Sequence, residues 1–251
     1  MNAGFAQGSG GRLRPLERMT RAELARLMDN LLRQYLRVPG VVTQVVPGGV
    51  MVNVPGVTLR DLTVNGDLIV GDGVGDGACV LENVTVAGRL VVRGGGEDGI
   101  ILRGGSSVAE VVMSRGGGTV SLKVESGADA GDIRIDEGSA DVNLYGTVDT
   151  VAVEASGVRV KAFCASIGRI DVIGGNTGIS VDAESVVGEV TVQGAAANTL
   201  LSVAGAVAGV TTAAPGTTVE GLGKVAWVEV RCGADNARVE TSGTQIQTAS
   251  R

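Results

Sequence analysis

The sequence is poor in the side chains that usually fill a large core or carry out catalysis. Aromatic residues make up 2% of the 251 residues, and histidine is absent. A core of ordinary composition buries several large rings, and histidine is the side chain that most often transfers protons in enzymes. The scarcity of both predicts a thin, regular interior of aliphatic side chains and argues against an enzyme.

Charge and hydropathy exclude two classes of partner. The formal net charge is −6, whereas a surface that binds nucleic acid carries a basic patch. No apolar run approaches the roughly 18 residues that a membrane span needs, and the first residues lack the apolar stretch of a secretion signal. We therefore expect no nucleic-acid partner and no membrane insertion. The protein is either cytoplasmic or secreted with its signal removed.

Cysteine is equally scarce. Cys79, Cys164 and Cys232 are too few and too scattered for a disulfide framework or a metal site. Such cysteines usually behave as small hydrophobic side chains, and we expect all three to be buried. We predict no cofactor and no metal site.

Glycine, with 41 residues, and a recurring apolar triplet are what the sequence has in quantity. In nine of the ten triplets two apolar residues flank a third position, the triplet at Val210 ending in a threonine, and successive triplets begin 18 to 22 residues apart. The ten triplets begin at Val50, Leu68, Leu90, Val111, Ile133, Val151, Ile170, Val190, Val210 and Val228. Further alternating segments lie at 57–59, 142–144, 158–160 and 179–181. Single apolar residues precede several triplets, at Val64, Val86, Val108, Val148, Ile167, Val187, Val207 and Val225.

Three short strands in every ~20 residues, separated by Gly, Asn, Asp and Ser, are typical of one coil of a parallel β-solenoid. The predicted fold class is therefore all-β, a right-handed parallel β-solenoid of about ten coils over residues 41–246, with a tail over 247–251. The right hand rests on the general bias of parallel crossovers and on the resemblance described below.

The glycine- and aspartate-rich stretch at residues 71–77, Gly-Asp-Gly-Val-Gly-Asp-Gly, fits this fold as a corner, because glycine adopts positive φ at little cost. A calcium ion bound by Asp67, Asp72 and Asp76 is an alternative. The repeated unit of calcium-binding solenoids is missing, as is the ligand order of an EF-hand. A phosphate loop would need a Lys followed by Ser or Thr at the start of a helix, and here a strand follows.

One segment differs from the repeat. Thr20 and Glu23 form a capping box, and apolar residues then recur at spacings of three and four. These residues are Leu24, Leu27, Met28, Leu31, Leu32, Tyr35 and Leu36. The pattern predicts one amphipathic α-helix over residues 16–38, preceded by a disordered glycine-rich leader over 1–15. Such a helix would cap the first coil, or bind a membrane surface or a partner helix.

Many β-helices cleave polysaccharides, so catalytic groups must be sought along the rod. Glycoside cleavage needs paired carboxylates, and the positions that follow the triplets stack only Asp136 and Glu154. We expect these two to form a solvated edge. Tyr145, Phe163 and Trp227 fall in separate coils, which does not predict an aromatic platform for sugars.

Residues Gly56 to Ile100 resemble a β-helical region of Gram-positive cell-surface proteins, which often follows S-layer homology modules. The stretch Met19 to Leu32, Met-Thr-Arg-Ala-Glu-Leu-Ala-Arg-Leu-Met-Asp-Asn-Leu-Leu, is similar to one helix of such a module. The resemblance implies a structural role at the cell surface and no catalytic residues. The other helices of a full module are missing here, so binding of a wall polysaccharide cannot be carried over.

The sequence therefore predicts a non-enzymatic structural protein of the cell surface or extracellular matrix that assembles with copies of itself, with a cell-wall polymer as a possible further partner. The alternatives are a bactofilin-like cytoplasmic filament and a polysaccharide-binding or -cleaving β-helix. The predicted interface comprises outward triplet positions, the helix stripe and one tryptophan, namely Met51, Ile69, Val91, Val112, Leu24, Leu27, Met28, Leu31, Leu32, Tyr35 and Trp227.

Overall fold

A computed structural model describes residues 20–21, 32–136 and 141–248. Twenty strands, β1 to β20 in chain order, join in one all-parallel sheet that winds into a solenoid. They are Gln34–Leu36, Gly40–Val42, Val50–Val52, Val57–Val64, Leu68–Val70, Cys79–Val92, Ile100–Arg103, Ser107–Met113, Thr119–Val124, Asp132–Ile135, Asp141–Val153, Arg159–Val172, Gly178–Val181, Val186–Val192, Leu200–Val203, Ala206–Thr212, Thr218–Glu220, Lys224–Val230, Arg238–Val239 and Gln245–Thr248.

One side of the solenoid, which we call face 1, carries the predicted triplets in unbroken register. Its ladder begins at Gln34, ends at Ile246 and contains the first member of all ten triplets. Adding the two end residues to the ten triplets makes twelve rungs, which enclose about 11 turns. The predicted parallel β-solenoid is therefore confirmed, with about one turn more than the ten expected.

The core is one continuous column of mostly aliphatic side chains from more than one side of the solenoid. On face 1 the first residue of each of the ten triplets is buried. The eight single apolar residues that precede triplets, from Val64 to Val225, are buried on another side. Because side chains alternate between the two surfaces of a strand, a triplet with apolar ends points both ends inward. This alternation is why a chain with so few aromatic rings still forms a continuous core.

Corners between the sides use residues in the left-handed conformation. Asn176 and Asn198 have φ values of 54° and 58°. They stack on successive turns, and the Nδ2 of Asn198 donates to the Oδ1 of Asn176 at 3.2 Å. Gly157 and Gly216 occupy the equivalent corners on neighbouring turns, also with positive φ. Asparagine tolerates this conformation better than other non-glycine residues, so either residue type can turn the chain here.

The predicted N-terminal helix is wrong at its C-terminal end. Residues 34–36 form β1, which pairs in parallel with Val50–Val52. The backbone N–H of Gln34 donates to the carbonyl oxygen of Gly49 at 3.2 Å. Pairing with a strand that is already in place satisfies backbone groups along the segment, and this tertiary contact overrides a local helical pattern. Leu32 precedes β1 and is half-buried outside any helix.

The remaining apolar positions of the predicted helix, Leu24, Leu27, Met28 and Leu31, lie outside the described residues, as does the leader over 1–15. The solenoid is longer than predicted at both ends: it starts at Gln34 and includes Gln247 and Thr248, which the sequence pattern assigns to a tail. The right hand of the coils stays a prediction. No helix within the described ranges is long and apolar enough to cross a membrane.

Candidate assembly surfaces

The outward positions of face 1 form an apolar stripe along the N-terminal turns. Met51, Ile69, Val91 and Val112 stand directly above one another in the ladder, as predicted. Tyr35, which the sequence pattern assigns to the helix, is instead the first member of the same stripe because it pairs with Met51. Met51, Ile69 and Val91 are half-buried, whereas Val112 is only 3% exposed. The stripe therefore offers less apolar surface to a partner than four fully exposed side chains would.

Charged side chains flank the stripe and engage one another across neighbouring turns. On one side, the guanidinium of Arg89 lies 2.8 Å from the carboxylate of Asp67. Burial alone would raise the pKa of Asp67. Hydrogen bonds from the side chain and the backbone N–H of Arg89 outweigh this effect, so the pKa lies below its ordinary value. On the other side, Arg93 approaches Asp72 at 3.4 Å. These pairs give the rim of the stripe both signs of charge.

The three aspartates of the calcium alternative do not form one ligand set. Asp67 faces Arg89 and Asp72 faces Arg93, while the Oδ1 of Asp76 accepts a hydrogen bond from Arg115 at 2.5 Å. Each carboxylate is thus turned toward its own guanidinium. Across the described ranges no three acidic, cysteine or histidine side chains are grouped closely enough to hold a metal ion.

Trp227 lies on the outer surface, in the column just before the triplet position. It pairs with Gly209 on the turn below, and its indole ring covers that glycine so closely that a Cβ atom there would overlap the ring. The tryptophan is half-buried by this contact. Part of its surface is therefore used within the chain, and the rest is open to a partner.

Replacing Gly209 with alanine should displace the indole ring and expose it to water. Because Trp227 is the single tryptophan, its fluorescence emission should shift to longer wavelength without loss of the β-sheet signal in circular dichroism. Gly194 is a matched control, because a Cβ atom there would lie 3.7 Å from its nearest neighbour. An unshifted spectrum in Gly209→Ala would contradict the packing of the indole on this glycine.

Sequence reasoning missed an aromatic pair. Tyr145 and Phe163 occupy adjacent turns in register, and their rings stack with centroids 5.4 Å apart. The Nζ of Lys123, on the preceding turn, lies 5.8 Å from the centroid of the Tyr145 ring. One face of the tyrosine ring is therefore turned to Phe163 and the other to a cation, so neither face of Tyr145 is open to a sugar. Each aromatic residue directly follows a core residue of its strand, Leu144 or Ala162. This shared position in the repeat could have predicted the stacking.

The remaining polar candidates are also arranged as ladders. Asp136 and Glu154 stand on neighbouring turns, where the backbone N–H of Glu154 donates to the carbonyl oxygen of Ile135.

Cys79 is fully buried, and burial raises its pKa to about 12. Cys164 and Cys232 are exposed, so the expectation of buried cysteines is wrong for both. The Sγ of Cys164 donates to the Oε2 of Glu184 at 2.9 Å. This hydrogen bond raises the pKa of Cys164, which makes its thiol a poor nucleophile.

Strand β20, Gln245–Thr248, is the most exposed strand of face 1. It pairs in parallel with Trp227–Val230 of β18. Ile246 stands on the core ladder above Val228, yet it is 57% exposed, whereas Val228 is completely buried. An exposed edge with an apolar core residue is a template for pairing with another strand.

The chain matches no protein-family model, no curated protein and no solved structure. The β-solenoid fold rests on the strand pairing alone, and no family is identified for the chain. The similarity of the segment Met19 to Leu32 to an S-layer module stays a hypothesis.

Proposed function

We propose that this chain is a non-enzymatic structural protein that assembles with copies of itself into filaments or layers. The observation that carries the proposal is the exposure of Ile246 at a core position of the outermost rung of face 1. An apolar side chain in such a position gains free energy when another molecule covers it. A contact that repeats along the rod axis without closing would produce a filament.

Two further features support the proposal. The stripe from Tyr35 to Val91 exposes part of an apolar column beside paired charges, which is the composition of an interface rim. The outer charges, such as Arg89 with Asp67, hold each other in ion pairs across turns. In this proposal the coils are right-handed, and the apolar residues from Leu24 to Leu31, outside the described residues, contribute to assembly.

Sedimentation velocity of the purified chain over a hundredfold range of concentration tests the proposal, together with electron microscopy of the concentrated sample. We expect species heavier than the 25.2 kDa chain that grow with concentration, and elongated particles in the images. A single 25.2 kDa species at every concentration would overturn the proposal.

We place the assembly at the cell surface or in the extracellular matrix, following the resemblance of Gly56 to Ile100. A bactofilin-like cytoplasmic filament is the alternative, because a β-solenoid of stacked turns would serve either compartment. Protease treatment of intact cells that produce the tagged chain separates the two. Digestion is expected for a surface protein, and protection would favour the cytoplasmic filament. A polysaccharide-binding role is supported less, since both faces of Tyr145 are engaged.

A further inference from the structure

The residues around Ile246 form a palindrome, and the fold places this palindrome in the exposed strand β20. Residues 244–248 read Thr-Gln-Ile-Gln-Thr, the same in both directions about Ile246. Ile246 points to the core, and its neighbours Gln245 and Gln247 point outward in register with Trp227 and Glu229. No charged side chain interrupts this segment. A strand with this symmetry is complementary to a second copy of itself in antiparallel orientation.

The backbone of β20 supports such pairing at the centre of the palindrome. In earlier turns the first triplet residue donates its N–H toward the next turn, as Val50 does to the carbonyl oxygen of Asp67 at 2.9 Å. The third triplet residue accepts from the next turn, as Thr212 does from the N–H of Arg231 at 2.8 Å. Ile246 and Thr248 occupy these positions on β20, so their hydrogen-bonding groups point away from β18.

We infer that β20 pairs antiparallel with β20 of a second copy about a two-fold axis through Ile246. The two Ile246 side chains then meet, and the apolar columns of the two rods become continuous. Each Gln245 lies opposite the Gln247 of the other copy, where the amide groups can donate to and accept from each other. This inference rests on the proposed self-assembly and names its contact.

A head-to-tail contact fits the same strand less well. Continuing the ladder in parallel would place Gln34 of the next copy over Ile246 and Leu36 over Thr248. Each apolar side chain would then face a polar one. The two-fold arrangement instead matches Ile246 with itself. Because a two-fold contact closes on itself, longer assemblies must use a second contact elsewhere on the rod.

Disulfide formation between two copies of one introduced cysteine tests whether the two-fold axis passes through residue 246. In the background Cys164→Ser and Cys232→Ser, with the buried Cys79 left in place, Ile246→Cys should form a disulfide-linked dimer under mild oxidation. Residues opposite each other in a hydrogen-bonded antiparallel pair have Cα atoms about 5.5 Å apart, which a disulfide can span. Ser242→Cys, also exposed but away from the axis, is the matched control and should stay largely monomeric. Equal cross-linking of the two variants would overturn the inference.

Charge variants give an independent readout by sedimentation. Gln245→Lys with Gln247→Lys should raise the dissociation constant roughly tenfold, because two pairs of like charges would face each other. Within one chain the lysine introduced at position 247 would lie beside Glu229, so the melting temperature of the monomer should not fall. Gln245→Glu with Gln247→Glu should weaken association as well, and mixing the two variants should restore it. Gln245→Glu with Gln247→Lys should associate at least as well as the parent.

The outcomes separate this inference from the proposed function. If the parent chain is monomeric throughout, the proposed self-assembly fails and the inference fails with it. If the parent assembles but the glutamate variant assembles equally well, self-assembly stands and the two-fold contact is wrong. A head-to-tail contact predicts that second result, because it would place residue 245 over Arg33 of the next copy, where a glutamate is attracted.

Discussion

Alanine in place of Gly146 is expected to lower the free energy of unfolding by about 3–5 kcal/mol, because two penalties combine at this position. Gly146 has a φ of 87°, where a side chain is strained. A Cβ atom at this position would also overlap the carbonyl oxygen of Val124 on the preceding turn. The strained conformation costs about 1–2 kcal/mol, and relieving the overlap must shift backbone in the middle of the rod.

Gly157 provides the matched control for Gly146. Its φ is 74°, but a Cβ atom there meets nothing within 4 Å. Gly157→Ala should therefore cost only the strain, about 1–2 kcal/mol, and Gly157→Asn should cost less, because Asn176 holds the equivalent corner one turn later. Asparagine should not rescue position 146, where the overlap remains. Denaturant unfolding followed by circular dichroism measures all four variants. A similar cost at 146 and 157 would contradict the close approach.

Truncation of Leu90 to alanine is expected to have a comparably large effect, a loss of about 3–5 kcal/mol. Leu90 is completely buried on face 1, between Leu68 and Val111. Neighbouring turns are held in place by their own ladders and can fill the cavity only in part. Leu222→Ala is the matched control, because Leu222 is fully exposed. The same chemical change there should alter the free energy of unfolding by less than about 0.5 kcal/mol.

Hydrogen exchange should show which turns are destabilised by Leu90→Ala. Each turn of a solenoid contacts only its neighbours, so a local defect loosens nearby turns first. Deuterium uptake is expected to rise most in strands β5 to β8 and least in β16 to β18. A uniform rise along the whole chain would show that the rod unfolds only as one unit.

The main ladder was predictable from the sequence because the pleat of a strand dictates which side chains are buried. A triplet such as Leu68-Ile69-Val70 must bury its two ends if it lies on a core, and ten such triplets at similar spacing leave few other folds. The single apolar residues, from Val64 to Val225, were predictable for the same reason. Corner lengths vary without moving these inward positions.

Features that depend on pairing between distant residues were harder to predict. Tyr35 and Leu36 fit a helical stripe and also fit an outward and an inward strand position, and only the pairing of β1 with Val50–Val52 decides between the two. The stacking of Tyr145 on Phe163 depends on which residues the corners place in one column. The pairing that we infer between two copies of β20 could not be predicted from the sequence, because it depends on Ile246 standing on the core ladder and yet being exposed.

The unbroken face-1 ladder also fixes the length of the rod by the number of its turns. Every added turn lengthens the rod by one strand spacing of about 4.8 Å and leaves the cross-section unchanged, because the corners already tolerate turns of different length. The eleven turns between Gln34 and Ile246 therefore measure about 53 Å. Duplicating or deleting one whole turn would reset this distance in a single genetic step, while β1 and β20 at the two ends kept their surfaces. Length and end chemistry can thus change independently in such a chain.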